Sequence, residues 1–248
     1  MKDLQSTVDY SFGVFTLSQY GNYGEPVTIS YRYDFPSEPT DYLDCAEISE
    51  TTEYEIPEDG WFRIDVISAG GSGGNSPKDP PGSNYGDWAT PGGGASGSHA
   101  RSEIALYKGD KLSIQFTGGI TVNNNERSIN IQVVNGAAGN NPINNETPGT
   151  GGQPGNASGG NKQNENGTRG NSGNTKRVDS YKGEIYGGTG AARKTITITE
   201  TKSYDTYGGN GSGADDIRES SHHMIMETAG NSAKVFISRG NTNIPSPQ

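Results

Sequence analysis

Apolar and polar positions alternate along this chain in short runs of β period. Tyr10, Phe12 and Val14 alternate with small or polar residues. After Gly21-Asn22-Tyr23-Gly24, the positions Val27, Ile29, Tyr31, Tyr33 and Phe35 alternate with Thr28, Ser30, Arg32 and Asp34. Two such runs across a Gly/Asn-rich turn predict a β-hairpin. Pro36 and Pro39 end it, because proline has no N–H to give a strand ladder. The acidic stretch over 41–55 reads as a boundary, dividing the chain into an N-terminal hairpin region, 1–49, and a larger unit, 50–248. From Tyr54 a turn feeds a strand through Trp61, Ile64, Val66 and Ile67 that stops at Ala69-Gly70-Gly71. Further strands are predicted over 104–107, 112–116, 129–134, 195–199, 224–226 and 235–237. No segment shows a helical period.

Between these strands lie glycine-rich blocks over 70–97, 136–173 and 183–213, far longer than hairpin loops. Gly149, Gly152 and Gly155 recur every third residue, as do Gly167, Gly170 and Gly173, with Gly136/Gly139 and Gly208/Gly211 as shorter pairs. Period three is that of the polyproline II helix, which has no internal hydrogen bonds. Stacked side by side, such helices bring backbones close enough for N–H and Cα–H groups to meet neighbouring carbonyls. Ordering glycine costs more entropy than ordering other residues, so a bundle of this kind needs a rigid β-scaffold to align it. The other reading is a set of flexible loops.

Composition alone points elsewhere. The 38 Gly, 13 Pro, 29% hydrophobic residues and mean hydropathy of −0.78 are values of disordered chains. The pattern overrides them, since the 13 Tyr, 6 Phe and 2 Trp concentrate in alternating runs. With 19 Lys+Arg against 29 Asp+Glu the net charge is −10, and no basic run offers to neutralise a phosphate backbone, which argues against nucleic acid. Cys45 is the one cysteine, so no intrachain disulfide or thiolate cage forms, and maturation in a reducing compartment such as the cytoplasm is expected. The opening Met1-Lys2-Asp3-Leu4-Gln5 leads into no apolar region, and no stretch reaches the ~20 apolar residues of a membrane span, so neither a secretion signal nor an anchor is expected.

Two motifs carry a resemblance. Tyr54-Glu-Ile-Pro-Glu-Asp-Gly60-Trp-Phe-Arg-Ile-Asp-Val66-Ile-Ser-Ala-Gly-Gly71 is similar to the opening of the glycine-rich domains of bacteriophage tail fibre and adhesin proteins. Ile104-Ala-Leu-Tyr-Lys108-Gly109-Asp110-Lys-Leu112-Ser-Ile114, after Gly92-Gly-Gly94-Ala-Ser-Gly97, resembles the return strand of that family, and Ser232-Ala-Lys-Val-Phe-Ile237 sits where the family closes. A similar arrangement occurs in the extracellular glycine-rich region of the anaplastic lymphoma kinase family. The resemblance spans roughly residues 50–240. It implies an all-β fold, a jelly-roll-like β-sandwich with polyglycine II-like insertions. The interior departs from the pattern: Asn-rich inserts interrupt the period-three runs, which argues against an extended glycine-helix lattice but not against the sandwich.

Candidate chemistry is sparse. Gly188-Thr-Gly-Ala-Ala-Arg193-Lys194-Thr195 approaches a phosphate-binding loop, but Arg193 replaces its last glycine and a strand follows where a helix N-terminus is required. His222 and His223 are adjacent and point to opposite faces of a strand, while His99 has no Asp or Cys close in sequence. Asp215, Asp216 and Glu219 do not match a calcium-loop spacing. The sequons at Asn145, Asn156, Asn166 and Asn210 follow from composition. No catalytic residue, metal or cofactor is assigned, and the chain is not read as an enzyme. Tyr85 and Trp88, in a Pro/Gly-rich loop, either stack on a sugar or protein surface or pack beneath the loop as anchors. Tyr181, Tyr186, Tyr204 and Tyr207 are the further candidates for receptor contact.

These readings converge on a phage virion protein, a tail-fibre-tip or baseplate-associated receptor-binding protein exposed on the particle. Residues 1–49 would attach to other virion proteins, and the glycine-rich unit would bind a host surface glycan or protein without breaking a bond. A homo-oligomer is expected, with a trimer favoured. The alternative is a structural virion component, a head fibre or decoration protein, that binds no receptor.

Overall fold

The computed structural model describes residues 9–21, 23–25, 27–32, 38–75, 86–143, 147–173, 175–178, 189–211 and 229–242. Strands β1 (Asp9–Val14) and β2 (Val27–Arg32) pair antiparallel with Tyr10 opposite Tyr31, the hairpin that alternation predicts. Beyond it lie two five-stranded antiparallel sheets, and among the described residues there is no helix. Strands β3 (Tyr42–Ile48), β5 (Gly60–Ile67), β7 (His99–Leu106), β12 (Gln163–Glu165) and β16 (Lys234–Gly240) form one, in the order β12-β7-β5-β16-β3. The other runs β11-β10-β9-β8-β4, from β4 (Thr52–Glu55), β8 (Lys111–Phe116), β9 (Gly119–Asn124), β10 (Ile129–Val134) and β11 (Ala157–Ser158).

One hydrophobic cluster joins the two sheets. Phe62, Ile64 and Val66 of β5 pack with Leu112 and Ile114 of β8, Ile120 and Val122 of β9, and Ile131 of β10. On β10, Ile129, Ile131 and Val133 are buried and Asn130, Gln132 and Val134 exposed, the alternation of a sheet with one wet face. Each fully buried aliphatic side chain contributes about 1.5–3 kcal/mol to a sandwich-like core of this kind. Strand β5 is covered on its other face too, where Ile67 meets Ile196, Ile198 and Phe236. That cover is a small sheet of β14 (Lys194–Thr197) and β15 (Ser203–Thr206).

The stretch that reads as an acidic boundary is strand. Residues 42–48 and 52–55 supply β3 to one sheet and β4 to the other, so the chain enters the two sheets by Tyr42. Its charges are compatible with strand because they face solvent and are paired, Glu47 with Lys202 and Lys234, Glu53 with Lys111. Strand β9 was also unannounced, having only Ile120 and Val122 as apolar positions. The strand expected over 224–226 lies outside the described residues.

The glycine-rich segments belong to no strand, helix or turn, yet their backbones are bonded laterally. Residues 90–98 lie at the centre. Gly92, Gly93 and Gly94 donate N–H bonds to the carbonyls of Asn140, Asn171 and Gly209, at 2.9, 2.8 and 2.8 Å. A methyl on the same residues would stand 2.2 Å from the Thr150 oxygen, 2.1 Å from that of Thr189 and 2.0 Å from that of Gly71. Three consecutive residues therefore touch six different segments, 68–75, 135–141, 149–156, 166–173, 189–193 and 207–211. Those six close a ring through bonds from Gly136 to Ala69, Ala137 to Gln153, Gly170 to Gly152, Asn171 to Thr189, Gly208 to Ala191 and Gly209 to Gly71. A segment enclosed on all sides has no room for Cβ, and 92–94 is the one run of three glycines in the chain.

The period-three runs line up in opposite directions. A methyl on Gly149, Gly152 or Gly155 would meet the carbonyls of Asn140, Ala137 and Val134, and one on Gly167, Gly170 or Gly173 those of Ser96, Gly93 and Thr90. Two asparagines, Asn140 and Asn171, take part in this packing. Asn140 donates from its backbone to the Thr150 carbonyl and from Nδ2 to Thr150 Oγ1 at 2.6 Å, and Asn171 makes the same pair of bonds to Thr189. An amide side chain at a segment's rim reaches a neighbour that a glycine backbone alone would touch once.

Candidate functional site

The segments alternate in direction. Residues 68–75, 135–141, 166–173 and 207–211 lead away from the ends of β5, β10, β12 and β15. Residues 90–98, 149–156, 189–193 and 229–233 lead back into β7, β11, β14 and β16. The described ends of the outgoing segments, Gly74, Asn140, Gly173 and Gly211, thus stand beside the described starts of the returning ones, residues 90–92 and 149–150, away from the strands they continue. There β6 (Gly86–Ala89) pairs antiparallel with β13 (Thr175–Val178), which places Trp88 opposite Lys176. Asn141 Oδ1 accepts the Asn75 N–H at 2.7 Å, and Ile143, bonded from its N–H to the Thr147 carbonyl, is 83% exposed.

The near end is closed by buried polar groups. Ser68 Oγ stands 2.7 Å from the Val134 carbonyl and 3.1 Å from Ser98 Oγ, which is itself 3.0 Å from the Asn156 carbonyl. Asn231 donates from Nδ2 to the Ser68 carbonyl, and its Oδ1 accepts from the Tyr207 N–H. The first residues of the segments are therefore fixed to the strands they continue, as a bundle of glycines requires.

Of the residues picked out for receptor contact, Tyr85, Tyr181 and Tyr186 lie outside the described residues, and Trp88 is placed by its backbone on β6. Tyr204 and Tyr207 come together at the near end, lining a cavity of about 320 Å³ with Arg193, Asp205, Asn231 and Ser232. The Tyr204 hydroxyl donates to the Ser232 carbonyl at 2.8 Å, and its ring packs 5.3 Å from Phe236. Arg193 lies 4.4 Å above the Tyr207 ring and 3.0 Å from Asp205. The Thr195 hydroxyl, with Arg193 beside it, holds the Asp205 carboxyl below the usual carboxylate range. Trp88 belongs to the far end and is not brought to this cavity.

Of the stretch that approaches a phosphate site, Gly188 lies outside the described residues, 189–193 form a bundle segment, and Lys194 and Thr195 open β14, with Thr195 opposite Asp205 on β15 and Lys194 paired with Glu165. His99 has an acidic partner that its sequence neighbourhood does not show: Asp65, fully buried, lies 2.7 Å from His99 Nε2 and 2.7 Å from Arg101 Nε. His99 Nδ1 is buried, and among the described residues no hydroxyl stands within hydrogen-bond distance of it to be activated. His222, His223, Asp215, Asp216 and Glu219 lie outside the described residues. Among the described residues no three His, Cys, Asp or Glu side chains group as a metal site, and no helix is long and apolar enough to cross a membrane.

The hairpin carries a different surface. Val14, Phe15, Leu17, Tyr20, Tyr23 and Val27 are between 55% and 81% exposed, all at or beside its turn. The turn is folded, with Gly24 N–H on the Thr16 carbonyl, a bridge between Leu17 and Tyr23, and Phe15 edge-on to Tyr23 at 6.1 Å. Together these residues form an exposed apolar patch at the hairpin turn.

No protein-family model matches this chain, and a search of curated proteins finds no similar sequence.

Proposed function

We propose that this chain is a virion-surface adhesin, a tail-fibre-tip or baseplate-associated protein that attaches a phage to its host without covalent chemistry. The observation that carries the reading is that the described segment ends and the β6–β13 pair gather at one end of a bundle whose other end is anchored in two sheets. A core made of backbone leaves side chains at the connections free to vary without disturbing the packing. In this reading the two sheets are a jelly-roll-like sandwich, the segments are polyglycine II-like helices, and Trp88 on β6 belongs to the host-facing end. The apolar hairpin tip is the attachment point to the particle, and weak host contacts are multiplied by homo-oligomerisation.

Purified, fluorescently labelled protein tests this. It is expected to label at least one bacterial strain and to compete with infection by the phage that carries it, and Trp88→Ala is expected to weaken labelling while leaving the melting temperature unchanged. Protein that labels no susceptible strain and does not compete would contradict the reading.

A further inference from the structure

The outer face of the β11-β10-β9-β8-β4 sheet carries a groove that plays no part in the attachment described above. Its volume is about 650 Å³, inside the range of about 300–1,000 Å³ over which small-molecule sites fall. Its floor is a cross-strand row: Ser113 on β8 stands opposite Asn123 on β9, and Asn123 opposite Asn130 on β10. Strand alternation aims these side chains outward, because Leu112, Ile114, Val122, Ile129 and Ile131 beside them are buried in the core.

The polar groups around the groove sort into two classes. Of the charged ones, Asp110 and Lys111 are already engaged, while the exposed Glu126 offers only a carboxylate. Asp110 accepts from Arg127 Nε and Nη2 at 2.6 and 2.9 Å and from the Tyr107 N–H at 2.9 Å. The Lys111 ammonium sits 2.8 Å from Glu53. Asn124 is engaged too, donating to the Lys111 carbonyl and accepting the Arg127 N–H, which ties the two loops at the groove's end together. The neutral row is different: among the described residues, Ser113, Asn123 and Asn130 have no side-chain hydrogen-bond partner.

What remains open on the groove's floor is a line of amides and a hydroxyl, each able to donate and to accept. That is the complement of adjacent sugar hydroxyls. A phosphate or sulfate would need a cation, and the ones here are paired. We propose that the groove binds a neutral saccharide, with Ser113, Asn123 and Asn130 bridging its hydroxyls. Because the row is set by strand register, little side-chain ordering accompanies binding, and a weak site of this kind gains from repetition across several copies. The site is separate from the far end of the glycine bundle and does not depend on it.

Isotope-labelled protein titrated with maltotriose, cellotriose, mannotriose and N-acetylchitotriose, and with a sulfated heparin tetrasaccharide for comparison, tests the proposal. At least one neutral saccharide is expected to shift the side-chain amide resonances of Asn123 and Asn130. The double variant Asn123→Ala/Asn130→Ala is expected to bind it at least about tenfold more weakly. Ser113→Ala, a smaller change, serves as a second variant should the double one fail to fold. No shift of these resonances by any of the four at about 20 mM, unchanged affinity in the variants, or a response to the sulfated sugar alone would overturn it. The readout sits on the groove's own amides, so the result stands whether or not cells are bound through the far end.

Discussion

At Gly93 the missing side chain is a matter of space, and at Gly118 a matter of dihedral angle. A methyl on Gly93 would lie 2.1 Å from a backbone oxygen, with five further segments around the same stretch, so nothing flexible can yield. Gly118 has φ of +66° and nothing within 4 Å of a new Cβ. Gly93→Ala is therefore expected to cost about 3 kcal/mol or more by overpacking, against about 1 kcal/mol for Gly118→Ala. Denaturant unfolding of the two variants measures the difference, and equal losses would contradict the close packing. At this scale the sequence was partly legible. Gly149, Gly152 and Gly155 announced their period, but which carbonyls they face depends on partners in other segments. The bond between His99 and Asp65 was not legible, because strand register brings together residues 34 apart in the chain.

Among elements, those whose apolar residues face a single core could be read directly. Strand β10 alternates cleanly, and the hairpin β1–β2 does so on both sides of its Gly/Asn turn. Strand β3 could not, because Asp44 and Glu47 set it in an acidic stretch, and the lysines of β16 and of the turn before β15 that pair with Glu47 are distant in sequence. One consequence follows for pH. Tyr42 at the start of β3 is 1% exposed, and Arg63 lies 3.9 Å over its ring. Burial, reinforced by the negative charge of Glu103, raises its hydroxyl well above the ordinary tyrosine range. The fold holds the phenol protonated while the unfolded chain releases its proton near pH ~10. This contribution is therefore complete below that pH and is lost as pH rises above it. Melting temperatures taken across the alkaline range are expected to fall more steeply for the native chain than for Tyr42→Phe, and parallel curves would argue against it.

For the whole molecule, the two sheets act as a clamp that aligns segments with no strand pairing of their own. The N-terminal hairpin presents apolar residues at its turn, and the glycine bundle gathers the described ends of its segments away from the strands they continue. Lateral bonding of the segments is what orders the described glycine-rich stretches of an acidic chain with few hydrophobic residues. All of this rests on the glycine segments being packed and hydrogen-bonded to one another. Native-state amide hydrogen exchange tests that most directly. The N–H groups of Gly92, Gly93, Gly94, Gly152 and Gly170 are each bonded to a neighbouring segment. They are expected to exchange as slowly as those of Ile64 and Val66 in β5, since opening them requires the bundle to come apart. Exchange of these glycines at the rate of an unstructured chain, while β5 stays protected, would contradict the account.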